Sequence, residues 1–366
     1  MEISKNVIDP WGKVEVKNYD KLMKELGIDS FKNILKSVPK PMLYMKRGII
    51  YGHKDFDRII TAIKKKEKFV MLTGLMPSGK FHFGHKIIAD QIIYYQSLGA
   101  ECYILSADIE AYLTRNIPIE EGRKIAIDEY LANYIALGLK PKNVKFFFQS
   151  EGSKSYMNFS KFISKKMTFN EIRAIYGNDV TPGKMISALT QIADILYPQF
   201  KENGGPKATV VPVGFDQLPH INFTRDIASK FKSYNFILPS ATFNKFMPGL
   251  QGGKMSSSNP MSYIALTDDP DAIRKKVMKY AFSGGQATVQ EHRKRGGNPD
   301  IDVSYQWLTF LEESDKKLQK IYNSYKSGKL LTGELKEILI EKLIRFLKQH
   351  QIKRKKAEKL VNMFLK

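Results

Sequence analysis

The sequence predicts an α/β fold whose central sheet is mostly parallel. Short apolar runs at 68–75, 101–107 and 144–149 have the length of buried strands. Segments with helical periodicity lie between them, at 84–97 and 120–138. Strands that alternate with helices of this length form right-handed βαβ units, so we expect the strands to run parallel. Their carboxyl ends then lie at one edge of the sheet.

The same alternation continues on both sides of this region. Apolar residues recur at helical spacing in 55–66, and a further apolar run at 209–215 precedes a helical pattern at about 217–231. Residues 152–200 look mainly helical and interrupt the alternation. The sequence therefore predicts a Rossmann-like, doubly wound parallel sheet with a helical insertion.

The character of the chain changes near 268–272, where the sequence reads DDPDA. Beyond residue 270, apart from the Gly-rich stretch 284–299, helical patterns rich in Leu, Ile and Lys continue to the end. We therefore expect an N-terminal extension over 1–45, a Rossmann-like domain over 46–269 with its insertion at about 150–200, and an all-α domain over 270–366.

Composition restricts the class of protein. The 366 residues are 43% hydrophobic and 26% charged, which excludes wholesale disorder. A formal net charge of +22 indicates either a polyanionic partner or a lysine-rich solvated surface. Cys102 is the only cysteine, which excludes intrachain disulfides and Cys-based zinc sites. With neither a signal peptide nor a membrane-length apolar run, we expect a cytoplasmic protein with no membrane association.

The first chemical motif is TGLMPSGKFHFGHK at 73–86, where a predicted strand ends and a predicted helix begins. Glycines here allow the backbone to approach a phosphate, and the helix start presents free N–H groups to it. His82 and His85 can donate hydrogen bonds to phosphate oxygens in a transition state. A Walker A loop is absent, and the remaining alternatives are a zinc pair or an ordinary Gly-rich turn.

The second motif is GLQGGKMSSSNP at 249–260, which has glycines on one side of Lys254 and three serines on the other. Such a loop can close over a triphosphate and bring an ammonium group to the leaving pyrophosphate. A flexible linker has the same composition, so this motif alone leaves both interpretations open.

Taken together, HFGH at 82–85 and KMSSS at 254–258 resemble the HIGH and KMSKS signatures of class I aminoacyl-tRNA synthetases. Nearly the whole chain is similar to the archaeal and eukaryotic type of the tryptophanyl-tRNA synthetase family. The matching stretches are DPW (9–11), NYDKL (18–22), GHKDFD (52–57), KKMTFNEI (165–172), DQLPH (216–220), TRD (224–226), AFSGGQ (281–286), EHRKRGGNPDIDVS (291–304) and LTGELKEILIE (331–341).

The resemblance implies an enzyme that activates L-tryptophan with ATP, bound with Mg²⁺, and transfers it to the terminal ribose of tRNA(Trp). It also implies a homodimer formed through the insertion and neighbouring helices. The 270–366 domain would bind the anticodon, with cations at Arg274, Lys275, Lys276 and Lys353 to Lys356. The alternatives are a tyrosyl-tRNA synthetase, which shares the two signatures, and a tRNA-binding paralogue without catalysis. The 281–304 stretch argues against the first and the intact signatures against the second.

Site residues are carried over from the family position by position. The resemblance implies catalytic roles for His82, His85 and Lys254. ATP contacts fall to Pro77, Ser78, Gly79, Gly84, Gly214, Phe215, Asp216, Lys254, Met255, Ser256, Ser257 and Ser258. Amino-acid contacts fall to Leu72, Leu105, Glu110, Gln191, Asp194 and Gln217. No metal held by protein ligands is expected.

Three positions depart from the eukaryotic pattern. Leu72 stands where that pattern has a tyrosine at the indole, and Leu105 stands where it has a glutamine. Asp194, in QIADIL, instead resembles the acidic residue that accepts the indole N–H in bacterial tryptophanyl enzymes. It also resembles the acidic residue that binds the phenol hydroxyl in tyrosyl enzymes. A pocket with leucine walls and Asp194 at its end suits a flat apolar ring with one donor. A carboxylate on a helix surface or at a helix N-cap is the alternative for Asp194.

Overall fold

The structure is a computed structural model that describes residues 23–24, 26–255 and 259–365, with the backbone alone at 174–176. The DPW and NYDKL stretches and Ser256 to Ser258 lie outside the described residues. The chain divides into two units. The first comprises residues up to Ser78, Ile88–Lys245 and the segment from Lys359, and the second comprises Gly79–Ile87 and Phe246–Glu358. The domain boundaries expected near 45 and 270 stay predictions.

A seven-stranded sheet forms the centre of the first unit, in the order β1-β2-β7-β6-β3-β4-β5. Its strands are β1 (Asp29–Ser30), β2 (Ile50–Lys54), β3 (Phe69–Leu75), β4 (Glu101–Ser106), β5 (Val144–Phe148), β6 (Ala208–Gly214) and β7 (Ser240–Asn244). The five strands from β7 to β5 pair in parallel. The mostly parallel, doubly wound sheet that the sequence predicts is therefore confirmed.

Strands β1, β2 and β7 were not predicted, and their sequences explain why. Strand β7 reads SATFN, which contains no apolar run, although all five residues are buried. Strand β2 reads IYGHK, and its glycine lies so close to Ile28 that a Cβ at Gly52 would be 2.4 Å from that side chain. Burial by neighbouring elements stabilises both strands, and the periodicity of the sequence does not reveal that burial.

The helices of the first unit include those that the alternation predicts. They are α1 (Phe31–Ile34), α2 (Leu43–Lys46), α3 (Asp57–Lys65), α4 (Phe83–Ser97, whose first five residues belong to the second unit), α5 (Asp108–Arg115), α6 (Ile119–Ile125), α7 (Ala132–Leu137), α8 (Lys154–Ser164), α9 (Phe169–Tyr176), α10 (Pro182–Leu196) and α11 (Leu218–Lys230). A π-helical turn, Ala126–Leu131, joins α6 to α7.

In the second unit the helices are α12 (Pro270–Tyr280), α13 (Val289–Arg295), α14 (Val303–Leu311), α15 (Asp315–Lys326) and α16 (Thr332–Ala357). This succession agrees with the helical character predicted beyond residue 270. None of the helices in the described part of the chain is long and apolar enough to cross a bilayer.

Helix α10 carries two of the predicted site residues, Gln191 and Asp194. Thr181 caps its start by accepting a hydrogen bond from the backbone N–H of Lys184, and Pro182 occupies the first turn, where a missing N–H costs nothing. Its apolar face packs into a core that includes Phe159 and Phe223. This packing turns Asp194 into the interior.

Candidate active site

In the second unit, His82 and His85 lie at the start of helix α4 and face each other. The segment just before the helix pairs with 264–266: the N–H of Leu266 donates to the carbonyl of Phe81 over 2.9 Å. The two imidazole rings are stacked with their centres 3.7 Å apart, and the ring of Tyr263 lies 4.9 Å from that of His82. The predicted pair is therefore a packed unit with a fixed orientation.

Backbone hydrogen bonds fix the tautomers of both histidines. The N–H of His82 donates to Nδ1 of His85 over 3.2 Å, and the N–H of Gly84 donates to Nδ1 of His82 over 3.1 Å. A nitrogen that accepts carries no proton, so each neutral ring holds its proton on Nε2. Burial lowers the pKa of His82 to about 4 and holds the pKa of His85 well below its usual range. Both side chains are neutral N–H donors at pH 7.

Gly84 is required by the close approach of its neighbours. A Cβ at this position would lie 2.9 Å from Cε1 of His82 and 3.3 Å from Sδ of Met255. Met255 is itself buried. The glycine of the HFGH motif and the methionine of the KMSSS motif thus pack together, which joins the two motifs within one unit.

Lys254 ends a tight turn that begins at Pro248. The N–H of Gly249 donates to the carbonyl of Gly253 over 2.9 Å, and Gly252 and Gly253 have positive φ angles of 83° and 67°, which favour glycine. The indole N–H of the fully buried Trp307 donates to the carbonyl of Pro248 over 2.8 Å and anchors the base of the turn. Lys254 is exposed, and its ammonium lies 4.8 Å from the centre of the Phe246 ring.

In the first unit, the residues predicted to contact ATP follow two adjacent strands. Pro77 and Ser78 follow β3, where the hydroxyl of Tyr130 donates to the carbonyl of Ser78 over 3.4 Å. Gly214 ends β6, and a 3₁₀ turn, Phe215–Gln217, leads from it into α11. Parallel pairing of β3 with β6 brings these segments to the same edge of the sheet.

Leu72 and Leu105 lie on the same face of the sheet and are both buried. In the β3–β4 register, Leu72 is paired with Tyr103, and Gly74 with Leu105, so alternation directs the two leucines to one side. On the same side, Phe147 is paired with Leu105, and its ring packs against the core formed by α8, α10 and α11. The leucine-walled face and the helix that carries Asp194 therefore belong to one layer.

Asp194 is almost completely buried, which rules out the helix-surface alternative. Its Oδ1 accepts a hydrogen bond from the Tyr156 hydroxyl over 2.5 Å, and its Oδ2 accepts one from Nε2 of Gln149 over 2.8 Å. Burial raises the pKa of Asp194 to about 8, and the nearby carboxylates of Glu110 and Asp108 add to that rise. The two hydrogen bonds act in the opposite direction.

The other three polar residues predicted for the amino acid lie around this layer. Nε2 of Gln191 donates to Oε1 of Gln217 over 3.1 Å, and Glu110 is half-buried in the first turn of α5. Gln191 lies one helical turn before Asp194 on α10, so both side chains project from similar faces. In the described part of the chain, no group of three His, Cys, Asp or Glu residues is placed to hold a metal ion.

Gln149 and Tyr156, which hold Asp194, were not predicted from the sequence. Gln149 follows β5 at the carboxyl edge of the sheet, and side chains at this edge of a parallel sheet commonly contact ligands. Tyr156 lies within helix α8 among aromatic residues of the core, and no local sequence pattern distinguishes it from them.

The basic residues expected to contact RNA fall into two groups. Arg274 pairs with Glu337, and Lys276 pairs with Asp268 over 2.6 Å. Arg354 pairs with Glu358 over 3.0 Å. In contrast, Lys275, Lys353, Lys355 and Lys356 are exposed. Part of the predicted cationic surface is therefore neutralised within the protein.

Comparisons with known proteins agree with this geometry. The family described as "tRNA synthetases class I (W and Y)" matches residues 64–348. The tryptophan–tRNA ligase of Aeropyrum pernix is 46% identical over 357 residues, which cover 96% of this chain and 95% of that protein. The corresponding ligase of Methanocaldococcus jannaschii is 41% identical over 358 residues, 96% of each chain. The crystal structure of tryptophanyl-tRNA synthetase from Aeropyrum pernix superimposes with a TM-score of 0.90 at 45% identity, covering 96% of this chain and 97% of that one.

The packing at Gly84 predicts the effect of a single methyl group. We expect Gly84→Ala to displace His82 or Met255 and to lower the free energy of unfolding by about 1–3 kcal/mol, the usual cost of overpacking. Chemical denaturation measures this change. Gly333→Ala is the matched control, because nothing lies within 4 Å of a Cβ at that helical position. Equal stabilities of the two variants would contradict the close packing.

Proposed function

The chain belongs to the class I tRNA synthetases of the tryptophan and tyrosine group, and from this premise we propose that it activates tryptophan with ATP and charges tRNA(Trp). Similarity to tryptophan–tRNA ligases over 96% of the chain is the observation that carries this function. The tryptophan carboxylate attacks the α-phosphorus of ATP, the bond to pyrophosphate breaks, and tryptophanyl-adenylate forms. The terminal ribose hydroxyl of the tRNA then attacks the adenylate carbonyl, and AMP leaves.

In the second unit, His82, His85 and Lys254 stabilise the charge that develops on the phosphates. The two histidines act as neutral donors through Nε2–H, since both Nδ1 atoms accept backbone hydrogen bonds. Lys254 supplies an ammonium group to the leaving pyrophosphate. No covalent enzyme intermediate is required, because positioning and charge stabilisation account for the chemistry.

We propose further ATP contacts for segments whose backbone can approach the nucleotide. In the first unit these are Pro77 and Ser78 and the segment Gly214–Asp216. In the second they are Gly79, Gly84, Met255 and the three serines that follow it. ATP enters as its Mg²⁺ complex, since Mg²⁺ is commonly held by phosphate oxygens with few protein ligands.

The amino-acid pocket lies in the first unit. Leu72 and Leu105 contact the apolar face of the indole, and Asp194 accepts its N–H. Glu110, Gln191 and Gln217 supply oxygen atoms to the α-ammonium group, which needs acceptors. Support comes from the burial of Asp194 in the same layer as the leucine-walled face.

The remaining partners are a second copy of the chain and the tRNA anticodon. Large apolar side chains on the helices around the insertion are about half exposed, which supports a homodimer formed there: Tyr112, Phe162, Phe169 and Ile186. The exposed lysines of α12 and α16 support binding of the anticodon stem by the helical region. A cytoplasmic location follows from the need for tRNA and ATP.

Amino-acid-dependent exchange of pyrophosphate into ATP tests the substrate directly. We expect exchange with tryptophan and background exchange with tyrosine, because the chain resembles tryptophan enzymes over nearly its whole length. Exchange with tyrosine alone identifies a tyrosyl enzyme, and no exchange with either identifies a non-catalytic paralogue. Both results contradict the proposed function.

Replacement of Lys254 tests the leaving-group role. We expect Lys254→Ala to slow exchange by about 100- to 1,000-fold, the effect of removing one preorganised charge donor, while the Kd for tRNA changes little. Lys64→Ala, at another exposed lysine, serves as the control. Comparable losses in exchange rate and tRNA affinity would argue for a binding role instead.

Replacement of Asp194 tests indole recognition. Asp194→Asn keeps the shape but removes the carboxylate, so we expect the KM for tryptophan to rise roughly 10- to 100-fold with the KM for ATP nearly constant. Steady-state exchange kinetics with each substrate varied in turn measure both constants. If the KM for tryptophan stays at its original value, Asp194 does not contact the indole.

A further inference from the structure

The two oxygens of Asp194 are each held by a donor from a different element. Tyr156 reaches Oδ1 from helix α8, and Gln149 reaches Oδ2 from the turn after β5. A carboxylate oxygen can accept two hydrogen bonds, so each oxygen keeps capacity for one more donor. The position of the carboxylate is therefore fixed before any ligand binds.

The orientation of the Gln149 amide is fixed by the backbone. The N–H of Glu110 donates to Oε1 of Gln149 over 3.2 Å, which leaves Nε2 to face Asp194. Because Nε2 can only donate, Oδ2 cannot carry a proton toward it. Oδ2 is therefore held as the acceptor of the Gln149 amide.

Tyr156 keeps its own proton in this arrangement. Burial, together with the Asp194 carboxylate, raises its pKa far above the usual range for tyrosine. Its ring packs against Tyr197 with centres 5.2 Å apart, within the same core as Phe159. The hydroxyl therefore points at Asp194 as a donor that is held by the packing of its ring.

The charged neighbours of Asp194 oppose its ionisation. Glu110 and Asp108, both on helix α5, raise the pKa of Asp194 in addition to the effect of burial, while Tyr156 and Gln149 lower it. A neutral acid is a weaker acceptor than a carboxylate. Loss of either donor should therefore weaken the acceptor at neutral pH.

From this geometry we propose that Tyr156 is a positioning residue for substrate selection, whose hydroxyl holds Asp194 as an oriented acceptor for the indole N–H. This inference rests on the proposed function, in which Asp194 contacts the indole. Gln149 holds the second oxygen and assists in the same way. Selection of the ring then depends on three residues from three elements, of which only Asp194 contacts the substrate.

The experiment compares tryptophan with β-(3-benzothienyl)alanine, in which sulfur replaces the indole N–H. Both compounds carry the same α-amino and carboxyl groups, so the ratio of their kcat/KM values in pyrophosphate exchange reports on the N–H alone. In the unmodified protein we expect this ratio to rise as the pH passes through about 8, because Asp194 loses its proton there. Loss of the Tyr156 hydrogen bond should raise the pKa of Asp194 further, so less of the carboxylate is present at pH 7. We therefore expect Tyr156→Phe to lower the ratio about tenfold at pH 7 and to move the rise to higher pH.

Tyr197→Phe is the matched control. Tyr197 is a buried tyrosine of the same core, and its hydroxyl lies 3.4 Å from the ammonium of Lys145, so its loss leaves the contacts of Asp194 intact. We expect this variant to keep the selectivity ratio and its pH dependence. Gln149→Met provides a second test if Tyr156→Phe fails to fold, and it should also lower the ratio.

The outcomes separate this inference from the function on which it rests. If the unmodified protein shows no exchange with tryptophan, the proposed function fails. If it uses tryptophan but Tyr156→Phe retains the same ratio and pH dependence as Tyr197→Phe, the role of Tyr156 is overturned. A loss of stability in Tyr156→Phe with an unchanged ratio would likewise assign Tyr156 to the core alone.

Discussion

Parallel hydrogen bonding of β3 to β4 on one side and to β6 on the other is the constraint on which the rest of the first unit depends. Because all three strands end at the same edge, the segments that follow them lie next to each other although they are distant in sequence. After β3 the chain forms β4 on one side of that strand, and it later returns to form β6 on the other side of β3. The connections therefore diverge at this point. Polar and backbone groups that follow the strands gather there.

Burial then determines the protonation of the groups that we propose for the chemistry. It disfavours charge, so it lowers the pKa of His82 and His85 and raises that of Asp194. The histidines become neutral donors whose tautomers are set by backbone N–H groups. Asp194 remains usable as an acceptor because two donors compensate part of the cost of burying it. Lys254, in contrast, is exposed at the surface.

The cations of the helical region fall into two groups. Some cations are held in ion pairs within the helical region, as for Lys276 with Asp268, and these contribute to local structure. Others, such as Lys353 and Lys355 on α16, are exposed. Exposed cations attract a polyanion over about 10 Å at moderate ionic strength, so they favour encounter with such a partner.

The sequence by itself determined the alternation of strands and helices, the two signature motifs and the resemblance to a synthetase family. These features depend on periodicity and on spacing over a few residues, and such patterns are local. Strand β7 was not predicted because its sequence is partly polar and its residues are buried by elements that are distant in sequence. The tertiary structure alone decided which donors hold Asp194, since Tyr156 and Gln149 are 38 and 45 residues away from it in sequence. It also decided that Met255 packs on Gly84, because contacts between distant segments follow from the packing of helices and strands and leave no periodic trace in the chain.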